Sequence, residues 1–155
     1  MTTANCDLCK LLAGFDAAGA AAGAAAPGPL VWRDGRLAVV LVDEPGYPGF
    51  ARVVWHDHVR EMTDLPLADR DHVMRTVWAV EQAQRATMSP HKINVASFGN
   101  MTPHVHWHVI PRYTDDAHFP NPTWGTKQRE HDAAAIAARA ALLPALRAAI
   151  IENLK

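Results

Sequence analysis

The chain has 155 residues, of which 49% are hydrophobic, and its formal net charge is −1. A chain of this length and composition can bury a core of its own, so we expect a single domain over residues 1–155. The near-neutral charge excludes the broad basic surface by which proteins bind nucleic acids or anionic membranes.

The first ten residues lack the charged-then-apolar pattern of a secretion signal, and no apolar run reaches the length of a membrane span. Cys6 and Cys9 are the two cysteines, which are too few and too close for a disulfide framework. We therefore expect a cytoplasmic protein with neither a membrane nor a nucleic-acid partner.

In chain order, the first regular feature is an alanine- and glycine-rich stretch at residues 17–29, which we interpret as a flexible surface loop inserted in the domain. Short apolar or alternating runs then predict strands. The predicted strands cover residues 30–32, 37–42, 51–55, 92–98 and 104–110. Asp34-Gly35 predicts a hairpin turn between the first two.

Residues 63–66, Thr-Asp-Leu-Pro, have the composition of a helix start, and apolar spacing predicts a long helix that ends near Met88. A second, alanine-rich helix is predicted over about 128–153, bent at Pro144. Pro111 should end the preceding strand or place it at a sheet edge. Because the strands follow one another while the helices stand apart, we predict an α+β fold: an antiparallel sheet with one long central helix and a C-terminal helix.

The most informative segment reads His104-Val105-His106-Trp107-His108-Val109-Ile110. Successive side chains of a strand point to opposite faces, so the three histidines share one face and the apolar residues share the other. Three imidazoles have no packing purpose on such a strand. We therefore expect chemistry there.

Two chemistries fit the bare spacing. The histidines can ligate a catalytic metal with an open position for water, or one histidine can attack phosphorus as a nucleophile. The third histidine reaches an ion shared by the first two only with difficulty, but spacing alone does not decide between the two.

The segment His104 to Ile110 resembles the signature of the histidine triad family, His-φ-His-φ-His-φ-φ with φ apolar, and the Pro-Arg-Tyr that follows is similar to bacterial members such as diadenosine tetraphosphate hydrolases. Further similarities occur in the same order along most of residues 6–124, apart from the alanine- and glycine-rich stretch. They are Cys6-Asp7-Leu8-Cys9-Lys10, Leu41-Val42-Asp43, the Gly-x-x-x-Val-x-x-x-x-His segment from Gly49 to His58, and Lys92-Ile93-Asn94.

The resemblance implies a nucleotide-binding hydrolase or transferase. His106 would attack the α-phosphate of a dinucleoside polyphosphate, nucleoside phosphoramidate or related adenylate, and water would then release the nucleotide. His108 would stabilise the charge that develops on the phosphate, and His104 would orient His106, partly through its backbone carbonyl. No cofactor is needed for this chemistry.

Other residues are assigned to the nucleotide by the same resemblance. Asp43 corresponds to a residue that binds the ribose hydroxyls, although an aspartate before a turn can equally act as a cap. Asn94 and Asn100 correspond to amides near the phosphate, although Asn100 after Gly99 can be a simple turn residue. Trp124 would cover the base or the leaving group, or else act as an aromatic plug in its loop.

Two residues depart from the family pattern. Phe50 stands where many members have a histidine that supports the catalytic one, and Met101 stands where a phosphate-binding serine is common. These departures keep a non-catalytic nucleotide-binding or zinc-stabilised interaction protein open as the alternative function.

Cys6 and Cys9 have a spacing that zinc sites favour, and similar bacterial proteins complete the site with residues matching His58 and His104. We predict a structural zinc, with two free thiols as the alternative. The resemblance also implies a homodimer.

Overall fold

The computed structural model describes residues 5–17, 19 and 28–155. The described part contains four α-helices and a five-stranded sheet. The helices are α1 (Asp7–Ala17), α2 (Leu67–Met88), α3 (Ala133–Ala140) and α4 (Leu143–Asn153), and the strands are β1 (Leu30–Arg33), β2 (Leu37–Leu41), β3 (Ala51–Trp55), β4 (Lys92–Ala96) and β5 (His106–Arg112).

All neighbouring strands are antiparallel, in the order β1-β2-β3-β5-β4. The main core lies on one face of the sheet, where α2 and α4 bury their apolar residues against alternate side chains of the strands, such as Val53 and Val109. Leu146 and Ile150 of α4 belong to this core and are fully buried. The predicted α+β fold is confirmed.

The opposite face of the sheet has a smaller core. There α1 packs Leu8, Leu12 and Phe15 against β1, β2 and Val54 of β3. This helix covers only the β1–β3 side, so the β5 part of the same face is left for other groups. The sequence analysis did not predict α1.

Several predicted boundaries need correction. β5 begins at His106, so His104 lies just before the strand and not within it. Pro111 lies inside β5, opposite Ile93 of β4, because pairing with β3 has already ended at Val109 and the missing N–H costs no ladder bond on that side.

The predicted C-terminal helix is two helices, and the first begins at residue 133 rather than near 128. Asp132 caps α3 by accepting from the N–H groups of Ala134 and Ala135, while Pro144 occupies the first turn of α4. Proline is tolerated in a first turn but not further along, so the break falls just before it.

Residues 18 and 20–27 of the predicted loop lie outside the described residues, and Ala17 is the last residue of α1. Among the residues that the structure describes, no single helix is long and apolar enough to cross a membrane. The pair α3 and α4, bent by 43°, reaches that length and composition.

Candidate active site

His106 and His108 project from β5 on the face that α1 partly covers. Their cross-strand partners on β3 are Val54 and Arg52, respectively. Directly paired residues place their side chains on the same face, so Arg52 stands beside His108. Trp107 and Val109 point to the α2 side and pack in the main core.

The imidazole of His106 is held in one orientation. Its Nδ1 lies 2.6 Å from the backbone carbonyl oxygen of His104, and a carbonyl can only accept, so Nδ1–H is the donor. The Nε2 atom therefore carries the lone pair. Burial lowers the pKa of His106, which keeps the ring neutral.

His108 has no hydrogen-bond partner for either ring nitrogen among the described residues, although both atoms are buried. Its ring is surrounded by Phe50, Phe98 and Trp124, at centroid distances of 5.3, 5.6 and 5.6 Å. Burial, the neighbouring His106 and the charge of Arg52 lower the pKa of His108 to about 3. It is therefore neutral at physiological pH.

A cavity of about 500 Å³ opens in front of these two histidines. Four of its lining residues have catalytic or nucleotide-binding roles assigned in the sequence analysis, and they are His106, His108, Asn100 and Trp124. The other lining residues are Asp7, Leu8, Arg52, Phe98, Met101 and Thr102. Met101 is 88% exposed, so its side chain stands at the rim of the cavity.

Asp43 and Asn94 lie outside this cavity. Asp43 lines a separate hollow of about 620 Å³ between residues 41–49 and the two C-terminal helices. Asn94 accepts a hydrogen bond from Arg112 at 2.6 Å. Neither residue lines the cavity in front of the histidines, and their predicted nucleotide contacts stay predictions.

Trp124 reaches the cavity because its loop is fastened to β5. The carboxylate of Asp116 is buried and accepts hydrogen bonds from the Arg112 guanidinium at 2.7 and 2.9 Å and from the N–H groups of His118 and Phe119. Arg112 also donates to the carbonyl of Asn121. The strand that holds the histidines therefore also holds the loop that carries Trp124.

A second polar cluster lies behind His104. The ligand atoms of Cys6, Cys9, His58 and His104 all lie within 4.8 Å of one another. His104 donates from Nε2 to the carbonyl oxygen of Trp55 at 2.6 Å, which leaves its Nδ1 as an acceptor that faces the two sulfur atoms. This donor set can hold a metal ion.

The distances within the cluster fit a tetrahedral zinc ion. The Sγ to Nδ1 separations are 3.4 to 3.5 Å. Bonds of about 2.3 Å to sulfur and about 2.0–2.1 Å to nitrogen at a tetrahedral angle require a separation of about 3.5 Å. Burial and the neighbouring Cys6 raise the pKa of Cys9 to about 11. A bound cation would displace that proton, because the thiolate is the ligand.

Residues 24–115 match the protein-family model of the HIT domain. The chain belongs to the HIT domain family. The resemblance to histidine triad proteins is therefore confirmed, and it includes His104, His106 and His108 within the matched region.

Among curated proteins, this HIT protein is similar to AP-4-A phosphorylase of Mycobacterium tuberculosis, with 29% identity over 105 residues. The match covers 63% of this chain and 54% of the relative. The chain thus spans about half the length of the curated relatives that it matches.

Solved structures of similar fold include two histidine triad proteins. The protein from Bradyrhizobium japonicum has a TM-score of 0.60 and 28% identity, and the match covers 74% of this chain and 86% of that one. A zinc-bound histidine triad family protein from Mycobacterium smegmatis has a TM-score of 0.62 and 21% identity, with coverage of 97% and 96%.

Sequence reasoning missed Arg52 and Phe98 in this HIT protein. Arg52 stands in a strand between apolar residues, where an isolated charge is an available signal, because charged residues avoid buried strands unless they are paired or functional. Phe98 follows β4 in a turn-like segment and carries no such signal.

Proposed function

We propose that this protein is a nucleotidyl hydrolase or transferase that uses His106 as a covalent nucleophile. Its substrates would be dinucleoside polyphosphates, nucleoside phosphoramidates or related adenylates, which it attacks at the α-phosphate. The carrying observation is the fixed orientation of His106, whose Nδ1–H is bound to the His104 carbonyl and whose Nε2 is available to the cavity. The name of the relative, AP-4-A phosphorylase, supports a nucleotide substrate.

The reaction would proceed in two steps. In the first, the Nε2 lone pair forms a bond to the α-phosphorus while the bond to the leaving group breaks and its electron pair leaves with that group. The His104 carbonyl stabilises the imidazolium-like ring through Nδ1–H. In the second, water attacks the phosphorus and loses a proton to the solvent, the N–P bond breaks with return of its electron pair to Nε2, and the nucleoside monophosphate is released.

The surroundings of His106 support particular roles in these steps. His108 would donate a hydrogen bond to a phosphate oxygen, since a neutral imidazole retains one N–H and the structure gives it no other partner in the described chain. Asn100 and Trp124 would contact the phosphate and the base or leaving group, as both line the cavity.

Cys6, Cys9, His58 and His104 would hold a structural zinc, a role supported by their donor chemistry and by their separations. When bound, zinc supplies a cross-link between the start of α1 and residues 58 and 104. No cofactor takes part in the proposed phosphate chemistry. The zinc-bound state of the Mycobacterium smegmatis protein supports this assignment, while the homodimer and the cytoplasmic location remain predictions from the resemblance and the sequence.

The decisive experiment replaces the nucleophile. His106→Asn should reduce hydrolysis of diadenosine tetraphosphate by several orders of magnitude and leave adenosine monophosphate affinity within about tenfold, because the lost interaction belongs to the covalent step. His91→Asn, which changes an exposed histidine, is the matched control. Near-normal rates in His106→Asn would rule out the covalent mechanism.

Acid-quenched mass spectrometry during turnover gives an independent measurement. The wild type should show a nucleotidyl adduct on the peptide that contains His104 to Arg112. A protein that binds adenosine monophosphate tightly but cleaves neither the tetraphosphate nor a phosphoramidate between pH 5 and 9 would instead be a nucleotide-binding module.

A further inference from the structure

Arg52 is a charged residue of the cavity that forms no ion pair with the part of the chain that the structure describes. It lies on β3 directly opposite His108 and on the same face as His106. Its side chain is half-buried and lines the cavity together with both histidines.

The structure gives the Arg52 guanidinium no ion pair within the described part of the chain. Its Nε atom is buried without a hydrogen-bond partner, and the Cζ atom lies 5.6 Å from the centre of the Phe50 ring. Desolvation lowers the pKa of Arg52, and the negative charge of Glu44 opposes this effect. Because arginine stays protonated in proteins, the Arg52 guanidinium is positively charged although it is partly desolvated.

Arg112 is a structural arginine of the same sheet and provides a comparison for Arg52. It is 2% exposed, and its guanidinium donates hydrogen bonds to the Asp116 carboxylate, the Asn94 side chain and the Asn121 carbonyl. Buried charges in proteins are normally paired in this way. The unpaired state of Arg52 therefore indicates an anionic partner that is not part of the chain.

His108 cannot take the place of this cation. Its ring is neutral, because burial and its cationic neighbour disfavour the imidazolium form. Asp7 also lines the cavity, but its carboxylate is 84% exposed and pairs with Lys10 at 3.6 Å. The fixed positive charge beside the two histidines is accordingly that of Arg52.

We propose that Arg52 binds the phosphate oxygens of a leaving group that is itself a phosphate, and so directs the enzyme to nucleotide anhydrides. A guanidinium matches two phosphate oxygens with two parallel hydrogen bonds, whereas it gains nothing from the neutral amine released by a phosphoramidate. This inference rests on the proposed function, and it narrows the substrate to dinucleoside polyphosphates and similar anhydrides.

A binding experiment tests Arg52 without turnover. In a His106→Asn background, calorimetry would compare adenosine diphosphate with adenosine. Loss of charge-assisted hydrogen bonds in Arg52→Gln should weaken adenosine diphosphate by about 10- to 150-fold and adenosine by less than about threefold. Arg52→Lys should fall between, and Arg36→Gln, whose charge lies on the surface beside Asp69, is the control. An unchanged affinity for adenosine diphosphate overturns the proposal.

A kinetic experiment tests the leaving group. With diadenosine tetraphosphate, Arg52→Gln should lose at least about tenfold more kcat/KM than with adenosine 5′-phosphoramidate, since both substrates share the adenylyl group. Equal losses would overturn the assignment to the leaving group. If the wild type cleaves neither substrate, the proposed function fails, and the calorimetric comparison still decides whether Arg52 binds phosphate.

A stability measurement distinguishes a ligand-binding role of Arg52 from a structural role. Arg52→Leu should keep or raise the Tm, because it removes an uncompensated charge from the half-buried face. Arg112→Leu should lower the Tm, since it leaves Asp116 buried and unpaired. A fall in Tm for Arg52→Leu as large as that for Arg112→Leu would make Arg52 structural and overturn the proposal.

Discussion

His104 and His108 are both buried, at opposite ends of the triad, yet their imidazoles have different surroundings. Both ring nitrogens of His104 face polar atoms, the Trp55 carbonyl on one side and two cysteine sulfurs on the other. Both ring nitrogens of His108 are buried among three aromatic rings and have no hydrogen bond in the described chain.

The two ends of the segment His104 to His108 therefore differ in whether their polar atoms are satisfied within the protein. At the His104 end, the ring nitrogens have polar partners in Cys6, Cys9 and the Trp55 carbonyl. The ring thereby connects the segment before β5 to β3 and to the start of α1. At the His108 end, the unsatisfied polar atoms lower the stability of the protein alone and are available to a ligand. His106 lies between them and is oriented by the first end through the His104 carbonyl, while its proposed substrate would enter at the second.

The largest expected effect comes from breaking the His104 end. Changing Cys6 and Cys9 together to serine should abolish zinc binding and lower the stability by about 4 kcal/mol when free zinc is a thousandfold above its Kd. For a chain of this length, that corresponds to roughly 8–16 °C in Tm. Elemental analysis and thermal unfolding measure the two effects.

A chelator supplies the matched control for the cysteine variant. It should lower the Tm of the wild type to that of the variant and leave the variant unchanged. If protein purified without chelators contains no zinc, the prediction of a zinc site at Cys6, Cys9, His58 and His104 is wrong.

A smaller effect is expected in the pH dependence of stability at the His108 end. The unfolded imidazole takes up a proton near pH 6.5, whereas burial, His106 and Arg52 keep the pKa of folded His108 at about 3. The unfolded state therefore binds more protons between these values, and stability falls as the pH falls through this range. At pH 5 the loss is about 2 kcal/mol.

His108→Asn should lose less stability than the wild type between pH 7.5 and pH 5, as measured by urea unfolding. His104 and His106 are present in both proteins, so their own protonation cancels in the difference. If the free energy of unfolding has the same pH dependence in both proteins, His108 is exposed to solvent in the folded state and its pKa is not lowered.

The smallest effect concerns the aromatic wall beside His108. Trp124→Ala should raise KM by about 5- to 30-fold with kcat nearly unchanged, because stacking on a base contributes roughly 1–2 kcal/mol. Trp78→Ala is the control, as Trp78 is 56% exposed on α2, and Trp124 is 50% exposed at the cavity. A fall in kcat alone would assign Trp124 to the chemical step and not to substrate binding.

The sequence predicted much of the fold because its signals are local. The limits of β3 and the end of α2 at Met88 agree with the structure, as apolar alternation and the Ser89-Pro90 stop depend on neighbouring residues. The helix α1 was not predicted, although Leu8, Leu12 and Phe15 have helical spacing, because the spacing of Cys6 and Cys9 was interpreted as a metal-binding signal. The bend before Pro144 was expected, but the cap at Asp132 was not.

The sequence predicted the site residues that belong to one contiguous motif. It did not predict those that are placed beside the motif by strand pairing. The contact between His106 and the His104 carbonyl involves residues of one contiguous segment, and the four predicted metal ligands lie together. Arg52 could not be assigned without knowing that β3 pairs with β5 in the register that sets it opposite His108. The position of Asp43, in the other hollow, likewise depends on the packing of α3 and α4.

The ion pair between Arg112 and Asp116 makes the Trp124 loop exchangeable. Asp116 gathers the backbone of the loop at its start, and Arg129 closes it by donating to the carbonyls of Asp116 and Phe119. Between these anchors the Asn121 side chain donates to the Thr126 carbonyl and Thr123 is buried, whereas Trp124 is half-exposed and can be changed with less disturbance of the backbone. A graft of residues 120–127 from another HIT protein could therefore retune the cavity and leave the sheet intact, which makes this loop the natural place for evolution or design to change the substrate.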